Sequence, residues 1–156
     1  MTNLTDLTLS DTLAVTGATT LTGALTTAAT QAVPVKFSET VAFGDFTDGG
    51  ATVGTIDLTN TLPIGAWVIA AQCTACTGFA GDTSAVVTLG DGSDVDRYNT
   101  GTPDVFTTAA NGVALGIPSG VQSHAAAATI TVTVTTAADF TSVSAGSLTL
   151  EFFYLT

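Results

Sequence analysis

ATITVTVTT, residues 128–136, sets Ile130, Val132 and Val134 on alternate positions with threonines between them. Side chains of an extended chain point alternately to opposite faces, so the stretch reads as a strand with one apolar and one hydroxyl face. The closing GSLTLEFFYLT, residues 146–156, repeats the pattern by aligning Leu148, Leu150, Phe152 and Tyr154. Phe153 adds an aromatic on the other face, which predicts burial on both sides, within a sandwich or between subunits.

Working back toward the start, SAVVTLG (84–90) gives a further strand and GDGSD (90–94) a turn. The stretch 105–117 offers one or two weak strands around the Asn111-Gly112 turn signal. AWVIAAQCTA (66–75) follows the bend TLPIG and predicts a long strand with Trp67, Ile69, Ala71 and Cys73 on one face. On that pattern Trp67 is a core residue, although an exposed Trp67 would support sugar stacking. TVGTIDLT (52–59) alternates Val53 with Ile56 and Leu58 after an expected irregularity at Gly54, and GDFTDGGA (44–51) is a turn. Only Ala125 to Ala128 is read as a helical turn. Short strands separated by Gly and Pro turns predict an all-β antiparallel sandwich over 34–156, with a jelly roll of about eight strands the preferred form.

Residues 1–33 read differently. In LTLSDTLAVTGATTLTGAL (7–25), Leu7, Leu9, Leu13, Val15, Leu21 and Leu25 all fall on odd positions, with a slower repeat of six above the alternation. Leu9, Val15 and Leu21 form one column, Asp11, Gly17 and Gly23 a second, and Leu7, Leu13 and Leu25 a third that Thr19 interrupts. So few hexads cannot enclose a core, so their leucine face needs cover, and further copies of the same segment are the most economical source. The segment is therefore expected to be an intertwined, trimeric β-repeat, a stalk or anchor, joined to the sandwich at Pro34.

The formal charge is −11, with Lys36 and Arg97 the only Lys or Arg. Neutralising phosphates takes clustered cations, so neither nucleic acid nor an anionic membrane is an expected partner. MTNLTDLTLS lacks the basic start and apolar run of a secretory signal. IGAWVIAAQC (64–73) is too short and too interrupted to span a bilayer, so a soluble product made in a cytoplasm is expected.

TLPIGAWVIAAQCTACTGFAGDTSAVVTLGDGSDVDRYNTG, residues 61–101, resembles a β-sandwich domain common among small tailed-phage virion proteins of the head fibre, capsid decoration and tail fibre types. Leu62, Pro63, Gly65 and Ala66 match the family's LPxGA bend, Phe79 and Gly81 its aromatic-and-glycine turn, and Leu89 to Tyr98 its acidic G-D-x-x-D-x-D-x-Y segment. The last two strands also look like the family's, and LAVTGATTLTGALT (13–26) is similar to fibre and spike repeats that fold only as trimers. The resemblance implies a homotrimeric virion protein made in the host cytoplasm, with the major capsid protein as first partner. A short tail fibre binding a host surface glycan is the alternative.

Candidate chemistry is sparse. Asp91, Asp94 and Asp96 form an acidic loop with Gly90 and Gly92, but the spacing is not that of an EF-hand. A hairpin turn with Asp side chains capping backbone N–H groups and Arg97 pairing nearby is the preferred reading over calcium. Cys73 and Cys76 form a CxxC, yet a closed zinc site needs four ligands and His124 is the only histidine. The two cysteines are expected to be small buried residues, reduced in the cytoplasm, with a disulfide after release still open. His124 is expected at the surface or a subunit contact. Glu39 and Glu151, the only glutamates, stand near opposite ends of the sandwich sequence and single out no acid/base pair. No enzymatic activity and no cofactor are expected.

Overall fold

A computed structural model describes residues 34–106, 113–115, 117–119 and 123–156. The trimeric repeat of Leu7, Leu9, Leu13, Val15, Leu21 and Leu25, and the Asn111-Gly112 turn, lie outside these residues. The described chain is all-β, with strands β1 (Pro34–Ala42), β2 (Thr47–Asp48), β3 (Val53–Leu62), β4 (Trp67–Ala80), β5 (Ala85–Gly90), β6 (Val113–Ala114), β7 (Ala128–Thr136) and β8 (Ala145–Leu155). They form two antiparallel sheets, ordered β1-β8-β4-β6 and β2-β3-β7-β5. Among the described residues no helix is long and apolar enough to cross a membrane.

The alternation read from β7 and β8 sets the core. Ile130, Val132 and Val134 are fully buried in the second sheet, and Leu148, Leu150 and Phe152 in the first. Phe152 stacks on Phe37 with ring centroids 5.2 Å apart and meets the edge of Tyr98 at 5.8 Å. A second aromatic group, Phe46, Phe79 and Phe140, packs with centroids about 6 Å apart. Glu39 links the two sheets: its carboxylate, on β1, accepts hydrogen bonds from the Thr59 and Asn60 amides and from Asn60 Nδ2, all on β3.

Three expectations are corrected. Strand β4 does not keep one phase. Its pairing with β8 slips between Val68 and Ala70, again between Cys73 and Ala75, and again between Thr77 and Ala80. Each bulge adds a residue and resets which face the following side chains occupy. Val68, Ala71, Cys73, Cys76 and Phe79 are therefore buried, while Trp67 and Ile69 stand on the opposite face, 48% and 49% exposed. Trp67 is not a core residue, and it does not share a face with Ala71 and Cys73.

The irregularity in β3 lies between Asp57 and Thr61, whereas Gly54 pairs in regular register with Val134. Gly54 leaves room for a ring: a Cβ there would run into the Phe140 side chain. Residues 125–127 form bends and open chain before β7 begins at Ala128, with no helical turn. The backbone just before them is committed elsewhere, since the His124 amide donates to Ala66 O and its carbonyl accepts from Gly65 N. A lone turn is too short to hold a helix against such anchoring.

The network of carboxylates gives the fold a pH dependence. Asp82 accepts from the amides of Ala138 and Thr83, and Asp139 from the hydroxyl and the amide of Thr141. These bonds hold both carboxyls below the ordinary aspartate value. Burial raises the Glu39 carboxyl, but the bonds from Asn60 and Thr59 outweigh it and leave it below the usual 4.5. A depressed folded value means that folding favours the charged form, so this stability is complete above the ordinary carboxylate range and is lost as pH falls through the folded values. The urea midpoint is therefore expected to drop between pH 6 and pH 3, and Glu39→Gln should flatten that drop; a midpoint independent of pH would contradict the assignment.

Candidate functional site

The displaced Trp67 puts a large aromatic side chain on the outer face of the β1-β8-β4 sheet. The bend before it is built for position. Gly65 takes the left-handed φ of 82°, Ala66 N donates to Pro63 O at 3.1 Å, and the Gly65 and His124 backbone bonds tie the bend to the chain ahead of β7. β4 then starts beside the end of β8 and, beyond it, the start of β1: Trp67 pairs with Leu155, and Leu155 with Pro34.

The next row on the same outer face pairs Ala70 with Phe153 and Phe153 with Lys36. Ile69 bulges out between the rows. Ile64, in the bend, is 70% exposed. The Lys36 ammonium lies 6.0 Å from the Phe153 ring centroid and 2.7 Å from Glu151 Oε1. Glu151 Oε2 accepts from Gln72 Nε2 at 2.8 Å. The Lys36 and Gln72 bonds pull the Glu151 carboxyl below its ordinary value. The outer face is thus apolar along the first row and becomes polar two residues farther in. Isolated exposed apolar side chains are ordinary, but a contiguous group containing Trp marks a surface that contacts something.

The acidic loop is a structured turn. Asp91 Oδ1 accepts from the Ser93 amide, the Ser93 hydroxyl and the Asp94 amide, and Oδ2 lies 3.4 Å from Arg97 Nε. Partial burial raises its carboxyl, but the bonds from Ser93 and Asp94 and the Arg97 charge bring it below the ordinary value. Asp94 accepts from the Asp96 amide, and the nearby Asp94 side chain pushes the Asp96 carboxyl up. Among the described residues no three His, Cys, Asp or Glu side chains are gathered to hold a metal ion. Asp91 and Asp94 cap the turn through the Ser93, Asp94 and Asp96 amides.

That turn delivers Tyr98 into the core. Tyr98 is 2% exposed and its hydroxyl lies 3.0 Å from His124 Nε2. Burial raises the phenol strongly and lowers the half-buried imidazole, so the pair is neutral near pH 7. Next to it Asn99, fully buried, donates to the Val87 and Gly101 carbonyls and accepts from the Leu89 amide. These contacts pin the acidic segment to β5, and no residue pattern in the segment announces them.

Cys73 and Cys76 face the core as buried thiols. Burial raises both, with Cys76 pushed up to about 11 by desolvation and by the Cys73 charge. A buried thiol with little thiolate is a poor nucleophile. Alkylation of the native protein by iodoacetamide at pH 8 should be slower than that of the urea-unfolded chain by a hundredfold or so. Equal rates would show that β4 opens freely. Glu39 and Glu151 sit on the paired strands β1 and β8, with Glu39 turned toward β3 and Glu151 toward the outer face. They do not converge on one substrate position.

By its fold the described chain belongs to the class of antiparallel two-sheet β-sandwiches, with an apolar row on the outer face of one sheet. Comparison with family models, with curated proteins and with solved structures finds no match.

Proposed function

We propose that the protein is a virion structural protein of a tailed phage, a homotrimeric capsid-decoration or head-fibre subunit. The observation that carries this reading is the union of a six-residue leucine repeat with a sandwich that encloses its own core. Because the sandwich supplies its own buried apolar face, the leucine columns of 7–25 serve a separate purpose, and assembly is the one their chemistry fits. The resemblance of residues 61–101 to phage virion sandwiches points the same way, and on it the two sheets are read as jelly-roll-like.

In this reading the repeat anchors or raises the trimer on a symmetric site of the particle, and the major capsid protein is its partner. Affinity comes from buried apolar area and added strand pairing, multiplied by three simultaneous contacts. Neither catalysis nor a cofactor enters. Mass spectrometry and cryo-electron microscopy of purified particles test it. The chain should be found in the virion as three-fold density on the head, and its absence from particles would overturn the reading.

The exposed Trp67 favours a second reading, a short tail fibre recognising a host surface glycan, since an exposed indole can stack on a sugar ring. Binding on a glycan array that is lost in Trp67→Ala would move the assignment there.

A further inference from the structure

We infer that the outer apolar row of the β1-β8-β4 sheet, centred on Trp67, is the contact between sandwiches of neighbouring copies of this chain. The inference deepens the trimeric reading above and rests on it.

Three observations lead to a second copy as the occupant. The first is where the preceding chain attaches. The 33 residues ahead of Pro34 carry the leucine repeat, and Pro34 is itself a member of the row Pro34–Leu155–Trp67. In the trimer proposed above, three joined copies of the repeat each continue into Pro34, so the surface beside Pro34 is the part of each sandwich tethered most closely to the other copies.

The second observation is charge. With a net charge of −11 the copies repel one another over most of their surface, and association needs a face free of uncompensated carboxylates. The row offers one. Pro34, Leu155, Trp67, Ile69 and Phe153 are uncharged, and Glu151 behind them is paired with Lys36, one of only two basic side chains.

The third observation is the side chains themselves. Trp67, Ile69 and Ile64 are 48%, 49% and 70% exposed, and the β4 slip at Ile69 inverts the phase so that Trp67 and Ile69 lie on the face opposite the buried Ala71 and Cys73. A strand that kept its phase through residue 73 would have buried them. A Trp at the centre of an apolar group with a polar edge is the usual composition of an interface hot spot.

Trp67 is the only tryptophan, so its fluorescence reads the face without labelling. The full chain is measured at one micromolar-range concentration by light scattering for mass and by acrylamide quenching, with N-acetyltryptophanamide as the standard for an open indole. A trimer is expected with a blue-shifted emission and a quenching constant several-fold below the standard. Ile69→Asp, which alters only an outward side chain, should make the trimer dissociate at higher concentration than the wild type while its strand circular dichroism is unchanged.

A trimer whose Trp67 quenches like the standard would overturn the interface and leave the trimeric reading standing. A folded monomer would overturn both. If Trp67 is open in the trimer and becomes protected only on adding capsid particles or host oligosaccharide, the face belongs to that partner and the inference fails. An Ile69→Asp trimer as resistant to dilution as the wild type would also contradict it.

Discussion

Phe152→Ala is expected to reduce the stability of the sandwich by about 3–5 kcal/mol, the range for emptying a buried aromatic site. Phe152 is fully buried on β8, the strand that pairs with both β1 and β4. Its ring is stacked on Phe37 and faced edge-on by Tyr98, so truncation removes one ring contact from each as well as leaving a cavity. The surroundings relax poorly, because Tyr98 is also held through its hydroxyl to His124. Against a typical total of about 5–15 kcal/mol, the loss leaves little margin. Urea unfolding checks it. Phe153→Ala, one position along on the outer face, should cost much less, and equal costs for the two would contradict the assignment of faces.

The second large effect concerns assembly. Leu13→Asp, and equally Leu21→Asp, is expected to reduce the mass from three chains to one while leaving the circular dichroism of the sandwich in place. Each substitution puts a carboxylate into a leucine column that three chains are proposed to share, and an uncompensated charge in an apolar contact costs several kcal/mol per copy. The cost enters once for each of the three copies, so the trimer has no means of absorbing it. The sandwich should be indifferent, since its core is built from residues 41–154. Size-exclusion chromatography with circular dichroism separates the two effects, and loss of strand signal in Leu13→Asp would show that the repeat and the sandwich fold together.

Much of the sandwich is legible in the sequence, and the reason is physical. β7 and β8 alternate without interruption because each has one face in the core and the residues inserted at the register shifts belong to β3 and β4, so Ile130, Val132, Val134, Leu148, Leu150, Phe152 and Tyr154 are correctly placed by parity alone. β4 defeats the same reasoning. It contains three bulges, and parity counted through a bulge inverts, which is how Trp67 and Ile69 pass from expected core to exposed face. No residue in AWVIAAQCTA announces the slip at Ile69, because bulges need neither glycine nor proline.

The acidic loop is the opposite case. Its Asp-Gly-Ser-Asp composition predicts self-capping, and Asp91 does bond Ser93, Asp94 and Arg97. What composition cannot carry is the tertiary part, the Tyr98–His124 bond and the clamp of Glu39 on Thr59 and Asn60. Each joins residues about 20 or more apart in the chain, and the sequence pattern on either side is the same with or without the contact.

The proposal as a whole turns on association of identical chains. Light scattering of the purified full-length protein at micromolar concentration measures that directly. The account predicts a single species with the mass of three 15.5 kDa chains, and a stable, folded species of one chain would contradict it.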